Sequence, residues 1–539
     1  MTLKNLMIVS SHKYLNSPYN KLYDNSNYKG RNTMLAFEKL NRINGFDFKN
    51  PDNAKQNSYA WSMTELGDYI YVGTARNMFS SMSQLYGQSN IPSSLISGTD
   101  NNAEIWRYKK DGTRPWQRVF KAAPDDQIYG IRAMITHQSS TRCAIYAASI
   151  GKQVSVFKSE DGLHWLKLDT SKLTGSSSRS LASFNGKLYI ATLDEGIGGD
   201  TAYLYSSVDP EYQPFEPVIE TDSPYFNACQ NPVGGIDNLQ VFNHRLYVSV
   251  ETENGAEVWR SNTLNPKTNG WTLVADKGFG DKANRNIMSS GVFKDHLYLA
   301  VTKELPLSLF APLGFDLIRI DQDDRWELVV GGRPLMPTHP ETGTRHKSLS
   351  GFDSGFNNFF NVYGWQIQSF KGHLILTTYD GSVNLKTIYN TYRYNEANIV
   401  ERIGRENYYN LMNSYSKIVS LLSKYKYPKG FDVYLSKDGC HFQPAVLSGL
   451  NDAYNYGGRT LHVSCENELY LGTANPYRGC SVYKADFINH HSPHEKDKYE
   501  NYFRMLAKLN RELQIIYPTL TESLQMMFIT QNSMSEDSH

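Results

Sequence analysis

A chain of 539 residues with Gly 39, Tyr 37, Phe 24 and Trp 8, and only 20% charged residues, has the turn-rich, aromatic composition of a fold built from many short strands, and disorder on a large scale is excluded. Lys+Arg 55 against Asp+Glu 54 leaves a net charge of +1, so no global field draws the chain to nucleic acid or to an anionic membrane. The length suits one closed all-β architecture, in which a single fold absorbs far more chain than an ordinary domain.

Residues 1–59 form an N-terminal segment. Its only early apolar run, Leu6 to Val9, is too short for a signal-peptide core or a membrane span, and the expected location is cytoplasmic. Five cysteines, an odd number without metal-ligand spacing, are expected to be reduced thiols packed as small apolar side chains.

From residue 60 to 487 the chain repeats itself at the period of a propeller blade. One strand of the repeat reads Tyr71-Val72-Gly73-Thr74, Tyr189-Ile190-Ala191-Thr192, Tyr247-Val248-Ser249-Val250, Tyr298-Leu299-Ala300-Val301, Ile375-Leu376-Thr377-Thr378 and Tyr470-Leu471-Gly472-Thr473, with Tyr146-Ala147-Ala148 a weaker copy. A closing pair follows it. Ala103-Glu104-Ile105-Trp106-Arg107 with Trp116 is nearly repeated by Ala256-Glu257-Val258-Trp259-Arg260 with Trp271. Counting units gives a seven-bladed β-propeller with four strands per blade, the blades beginning near Ala60, Tyr129, Ser178, Asp237, Asn286, Tyr363 and Tyr456. The last unit lacks an outer strand, and residues 33–41 are predicted to supply it and close the ring.

Turns between first and second strands are short, as at Asn185-Gly186 and Lys371-Gly372, whereas the connections at 77–102, 303–314 and 381–430 are long and open on the opposite face. The third of these carries Ile399, Ile403, Tyr408, Leu411, Tyr415, Ile418 and Leu422 at helical spacing, which predicts a separable helical cap, residues 384–430, inserted in blade six. Elaboration confined to one face of a rigid scaffold marks a binding face. Residues 488–539 are expected to be a C-terminal helix and disordered tail. The helix starts at Ser492-Pro493-His494-Glu495, lays its apolar stripe on the propeller wall and ends at Pro518, and the disordered tail includes residues 534–539.

Counting back from each second strand places Trp61, Arg132, Arg179, Asp237, Met288, Trp365 and Thr460 at the start of the channel-lining strands, with Asn238 and Arg459 adjacent. The second strands end at the same mouth with Arg76, Asn77, Asp194, Glu251, Asp380 and Asn475. Arginine forks take carboxylate or phosphate, and tryptophan faces stack on sugars or cations, so this set suits a polar, anionic or glycan-like ligand. The same arginines and carboxylates could instead pair with one another and hold the ring. His244, His296 and His373 recur at tight turns on the plain face, where solvated turn residues are expected rather than metal ligands. No HExxH, Walker loop, GxSxG or paired CxxC occurs, so no metal is expected and no cofactor is named.

Ser159-Glu160-Asp161-Gly162-Leu163-His164-Trp165 and Ser436-Lys437-Asp438-Gly439-Cys440-His441-Phe442 resemble, one residue shorter, the Asp box of sialidase-type propellers, and the repeat resembles sialidase- and kelch-type propellers more distantly. Sialidases combine an arginine triad, a tyrosine nucleophile paired with a carboxylate, and an aspartic acid, on six blades. The resemblance offers Arg132, Arg179 and Arg459 for the triad, assigns no tyrosine or acid, and implies fold rather than activity. The expected function is recognition of a small molecule, glycan or protein at the looped face. The alternative is a hydrolase or lyase acting at the channel mouth.

Overall fold

The computed structural model describes residues 33–80, 100–139, 142–195, 201–489 and 495–536. They form an all-β, propeller-like body with a helical insertion and a C-terminal helix. Antiparallel pairing groups the strands in fours. The first unit comprises Asn57–Leu66, Tyr69–Arg76, Glu104–Lys109 and Gln117–Lys121. The second comprises Ile128–Gln138, Cys143–Gly151, Val156–Ser159 and Leu166–Lys167, and the third Ser177–Phe184, Lys187–Leu193, Tyr203–Ser207 and Glu216–Pro217. In the fourth, Gly235–Phe242, Arg245–Glu251, Glu257–Ser261 and Trp271–Ala275 pair in order, and in the fifth Asn284–Phe293, His296–Lys303, Asp316–Ile320 and Trp326–Val330 do the same. The sixth holds Asn361–Phe370, His373–Asp380, Asp432–Ser436 and Gln443–Leu447. The seventh joins Gly457–Val463, Leu469–Ala474 and Val482–Asn489 to the N-terminal strand Thr33–Lys39, in register from Thr33 opposite Asn489 to Lys39 opposite Tyr483.

The sequence explains the layering. Second strands are apolar along almost their whole length and are buried on both faces, because each lies mid-sheet between two neighbouring units. The outer strands Gln117–Lys121, Leu166–Lys167 and Glu216–Pro217 are largely exposed, whereas Trp271–Ala275 and Trp326–Val330 are mostly buried. Apolar side chains fill the space between successive units, and Ala60, Ile70 and Val72 of the first unit share one cluster with Tyr470 and Val482 of the seventh. The first strand of each unit packs on that of the next, and the first strand of the seventh returns to that of the first unit. Four unit junctions reuse one device, in which a Gly-Phe or Gly-Leu pair takes positive φ and its glycine carbonyl accepts from an asparagine side chain. The pairs are Gly45-Phe46 with Asn57, Gly278-Phe279 with Asn284, Gly355-Phe356 with Asn361 and Gly449-Leu450 with Asn455.

Three helices make up the insertion: α1 (Ser382–Tyr394), α2 (Glu396–Ile403) and α3 (Arg405–Lys424). The C-terminal helix is α4 (Glu495–Glu536). Several sequence expectations change here. The apolar stripe of α4 packs mainly on α3 and α2 rather than on a propeller wall, and Leu506, Leu509 and Leu513 share one core with Leu411, Tyr415 and Ile418. That core continues into Phe315, Phe356 and Tyr434 of the fifth and sixth units, so the cap is not a separate body. Nor does Pro518 end α4. Proline removes one backbone donor, but Tyr517, Leu520, Leu524 and Met527 continue the buried face across it, and this packing holds the helix together. Residues 534–536, expected to be disordered, belong instead to the helix, which runs to Glu536. The proposed start at Ser492-Pro493-His494 and the final residues 537–539 lie outside the described residues. Of the free thiols only Cys480 is buried, while Cys143, Cys229 and Cys465 are exposed, because they sit on outer turns and strand ends rather than between units.

The two Asp-box-like turns are built alike. Asp161 Oδ1 accepts from the backbone of Leu163 and His164, and Asp438 Oδ1 from Cys440 and His441, each at 2.8 to 2.9 Å. These carboxylates close turns.

Candidate functional site

The first strand of every unit carries a one-residue register shift at the same depth. The shifts fall at Trp61, Arg132, Arg179, Asp237, Met288, Trp365 and Arg459. A β-bulge turns an extra side chain out of the ladder, and here all seven line one central cavity of about 380 Å³. The bulge thus selects Arg459 over the neighbouring Thr460, and Asp237 over Asn238, although Thr460 and Asn238 also border the cavity.

The cavity has two unlike walls. One is aromatic, with Tyr59, Trp61, Tyr363, Trp365, Tyr379 and Tyr456 all buried and in mutual ring contact. The hydroxyls of Tyr59 and Tyr456 hydrogen-bond to each other. Burial holds the Tyr379 and Tyr456 hydroxyls well above the ordinary phenol range, so both stay protonated. The other wall is ionic. Arg132 pairs with Glu195, whose carboxylate also receives Arg179 at 3.1 and 3.2 Å, and Arg179 reaches Asp237 Oδ1 at 2.9 Å. Asp237 Oδ2 accepts from the backbone N–H of Ile287 at 3.1 Å.

These pairs set the charge states. Burial works against ionised Glu195, but Arg132 and Arg179 hold its carboxyl down at about 2. Burial likewise disfavours charged Arg179, and Glu195 with Asp237 outweigh it and lift its value. Asp237 is pushed up to about 7 by burial, against the pull of Arg179 and with the nearby charge of Glu251 adding to the rise. Arg459 differs from the other two arginines. Burial pushes it down to about 9, the charge of Arg132 adds to the shift, and among the described residues it has no carboxylate partner. Its guanidinium lies 5.2 Å from the Trp365 ring centre, as that of Arg132 lies 5.2 Å from Trp61.

Met78, Leu305 and Leu309 border the cavity from the looped face. Leu309 belongs to the turn Leu307–Phe310, which the cap holds from outside: Tyr415 Oη donates to the Phe310 carbonyl at 3.0 Å and Tyr392 stacks on the Phe310 ring.

Of the residues expected at the mouth, Trp61, Arg132, Arg179, Asp237, Asn238, Trp365 and Arg459 meet in the cavity. The second-strand ends do not join them, because those chains turn away into the unit junctions. Arg76 is fully buried against Asn53, Asn57 and Glu104, and Asn77 binds Gln56 and Asn101. Asp194 yields its place to Glu195, the next residue. Glu251 sits behind Asn286 and Arg285. Asp380 accepts from the backbone of Ser382 and Gly430 at 2.8 and 2.7 Å, pinning the two ends of the insertion together. Asn475 bonds Asn455. The sequence reading missed Glu195 and the tyrosines. A signal for the latter was present in Tyr59-Ala60-Trp61, Tyr129-Gly130-Ile131-Arg132, Tyr363-Gly364-Trp365 and Tyr456-Gly457-Gly458-Arg459, where a tyrosine precedes the bulge residue by two or three positions.

Glu65, Cys465 and Glu466 lie close enough together to hold a cation, but Lys110 Nζ already sits 2.5 Å from Glu65 and 2.7 Å from Glu466. A lysine therefore fills that position.

No family model and no curated protein matches the chain. Solved structures with similar folds include the WD40 β-propeller domain of Doa1, at 9% identity and a TM-score of 0.39 over 84% of this chain and 97% of that one. Trypanosoma rangeli sialidase in complex with the inhibitor DANA matches at 8% identity and 0.33, over 64% and 58%. A GH43_1 enzyme from Xanthomonas citri complexed with xylose matches at 9% identity and 0.29, over 64% and 85%. At such identities and scores the likeness describes general architecture and carries nothing about activity.

Proposed function

We propose that the chain is a seven-bladed β-propeller, one blade per four-stranded unit, that binds a small polar, anionic or glycan-like ligand in its central cavity. The observation that carries this reading is the ring of seven bulge-borne side chains around a cavity of about 380 Å³, with an aromatic wall facing an ionic one. A volume of that order suits a small ligand. An aromatic surface binds the flat face of a sugar or ring while fixed charges orient its polar groups. Trp61 and Trp365 supply the readout. Titrating saccharides and small organic acids while following tryptophan emission should give saturable quenching in the intact protein and none in Trp61→Phe/Trp365→Phe. Unchanged quenching in that double variant places binding elsewhere and rejects the reading.

A second reading rests on Asp237. A carboxyl raised to about 7 inside the cavity is partly protonated at neutral pH and could serve as a general acid in a hydrolase. The two readings separate on turnover. If bound saccharide is recovered unchanged in the intact protein and Asp237→Asn binds it equally, Asp237 has no chemical role.

A further inference from the structure

The cavity contains the same cassette twice. In the first copy Trp61 of the first unit lies against Gly130 of the second, where a Cβ would run into the indole ring, and Arg132, two residues on, covers the same indole. In the second copy Trp365 of the sixth unit lies against Gly457 of the seventh, a Cβ there would again meet the indole, and Arg459 covers it. Tryptophan, glycine and arginine thus recur in the same relation across two unit junctions.

The copies differ in one component. Arg132 is completed by the carboxylate of Glu195, from the end of the second strand in the following unit. The matching position beside Arg459 follows from the strand registers. Ala191 pairs with Ser180 and Gly73 with Ser62, each partner standing just after its bulge. Four residues onward these strands reach Glu195 and Asn77. Asn77 takes positive φ (42°) and turns its amide to Gln56 and Asn101. No side chain of the described residues brings a carboxylate to Arg459.

We infer that the ligand supplies this missing component: a small molecule bearing one carboxylate, which the Arg459 fork receives as Arg132 receives Glu195. The inference deepens the cavity-binding reading above and rests on it. Charge supports an anion. Arg132 and Arg179 are met by Glu195 and Asp237, whereas Arg459 meets no carboxylate among the described residues, and an uncompensated charge in a buried site favours a ligand that neutralises it. A planar guanidinium also matches the two oxygens of a carboxylate in fork geometry. Tyr363 and Trp365 then face the body of the ligand.

The test uses the full chain and the smallest probes, which any cavity of this size admits. Acetate and benzoate are compared with acetamide and benzamide, their uncharged counterparts, and with phosphate, at constant ionic strength. Melting temperature and tryptophan emission are read in the intact protein, Arg459→Met and Arg459→Lys. The carboxylates should raise the melting temperature and perturb emission and the amides should not, and phosphate acting as strongly as the carboxylates would overturn the carboxylate assignment. Arg459→Met should fold and bind benzoate about tenfold to hundredfold more weakly, the effect of one charge-assisted pair. Arg459→Lys, which keeps the charge and loses the fork, should fall between. Amides acting as strongly as carboxylates, or both variants binding benzoate like the intact protein, would overturn the inference. Quenching by a neutral saccharide with no response to any carboxylate would sink it and leave the cavity reading standing. No response to any probe would remove both.

Discussion

At the residue scale the three arginines of the cavity behave differently because their partners differ. Arg179 is held by Glu195 and Asp237, so Arg179→Met leaves buried carboxylates short of a counter-charge. It should cost about 3 to 5 kcal/mol, measurable by urea unfolding. Arg459 carries no such obligation, and Arg459→Met should leave unfolding unchanged or shift it to higher urea. Equal losses in the two variants would show that both arginines hold the ring. Asp432 offers a test in pH. It is fully buried, accepting from Asn361 Nδ2 at 2.9 Å and from Tyr434 Oη at 3.1 Å, and burial raises its carboxyl to about 7. A carboxyl raised on folding stabilises the fold most below its unfolded value near 4, and this contribution is lost as pH rises through 7. Asp432→Asn keeps an acceptor but cannot ionise. The stability difference, wild type minus Asp432→Asn, should therefore fall steadily between about pH 4 and pH 7. The difference between the two proteins is the quantity to read, because His137 and His462, lowered by burial, act in the opposite sense. A pH-independent difference would mean that Asp432 keeps one protonation state throughout.

At the scale of elements, the cap and the C-terminal helix stand or fall together. Leu506 is fully buried between α4 and α3, and Leu506→Ala should cost about 2 to 5 kcal/mol by transfer and cavity terms. Hydrogen exchange should show α1, α2 and α3 losing protection together with α4, while the first four units keep theirs. Loss confined to α4 would restore the expectation of a separable cap. The glycines of the two cassettes test the cavity wall from the other side. Gly130→Ala and Gly457→Ala each force an indole off its seat. Each should shift tryptophan emission and weaken ligand quenching, and Gly457→Ala should do so more for carboxylates, since it displaces the ring beneath Arg459. Unaltered emission in both variants would mean that the indoles have other space to occupy.

At the scale of the whole molecule, the strand Thr33–Lys39 joins the chain's first described residues to its last unit. Removing residues 1–45 should leave Val482–Asn489 as an open edge, so that unfolding followed by circular dichroism and by tryptophan emission ceases to coincide. Coincident transitions at the intact protein's midpoint would show that closure adds nothing. The repeat, the strand order and this N-terminal partner were all legible in the sequence, because period-2 burial and turn chemistry are local and each unit writes them afresh. Local pattern also placed Trp61, Arg132, Arg179, Asp237 and Trp365 at the channel, since each bulge sits at a fixed distance from its second strand. It failed for Arg76, Asn77, Asp380 and Asn475, whose side chains are claimed by partners far along the chain, and for Glu195, which a one-residue difference in strand end exchanged for Asp194. The stripe of α4 was visible, but not that α3 covers it, because an apolar face specifies burial and not a partner. The sequence by itself determined the blade-like units and the residues that line their common axis. Only tertiary structure decided which charges meet: Glu195 reaches Arg132, whereas the matching position beside Arg459 holds Asn77, an amide that turns to Gln56 and Asn101 in a unit junction.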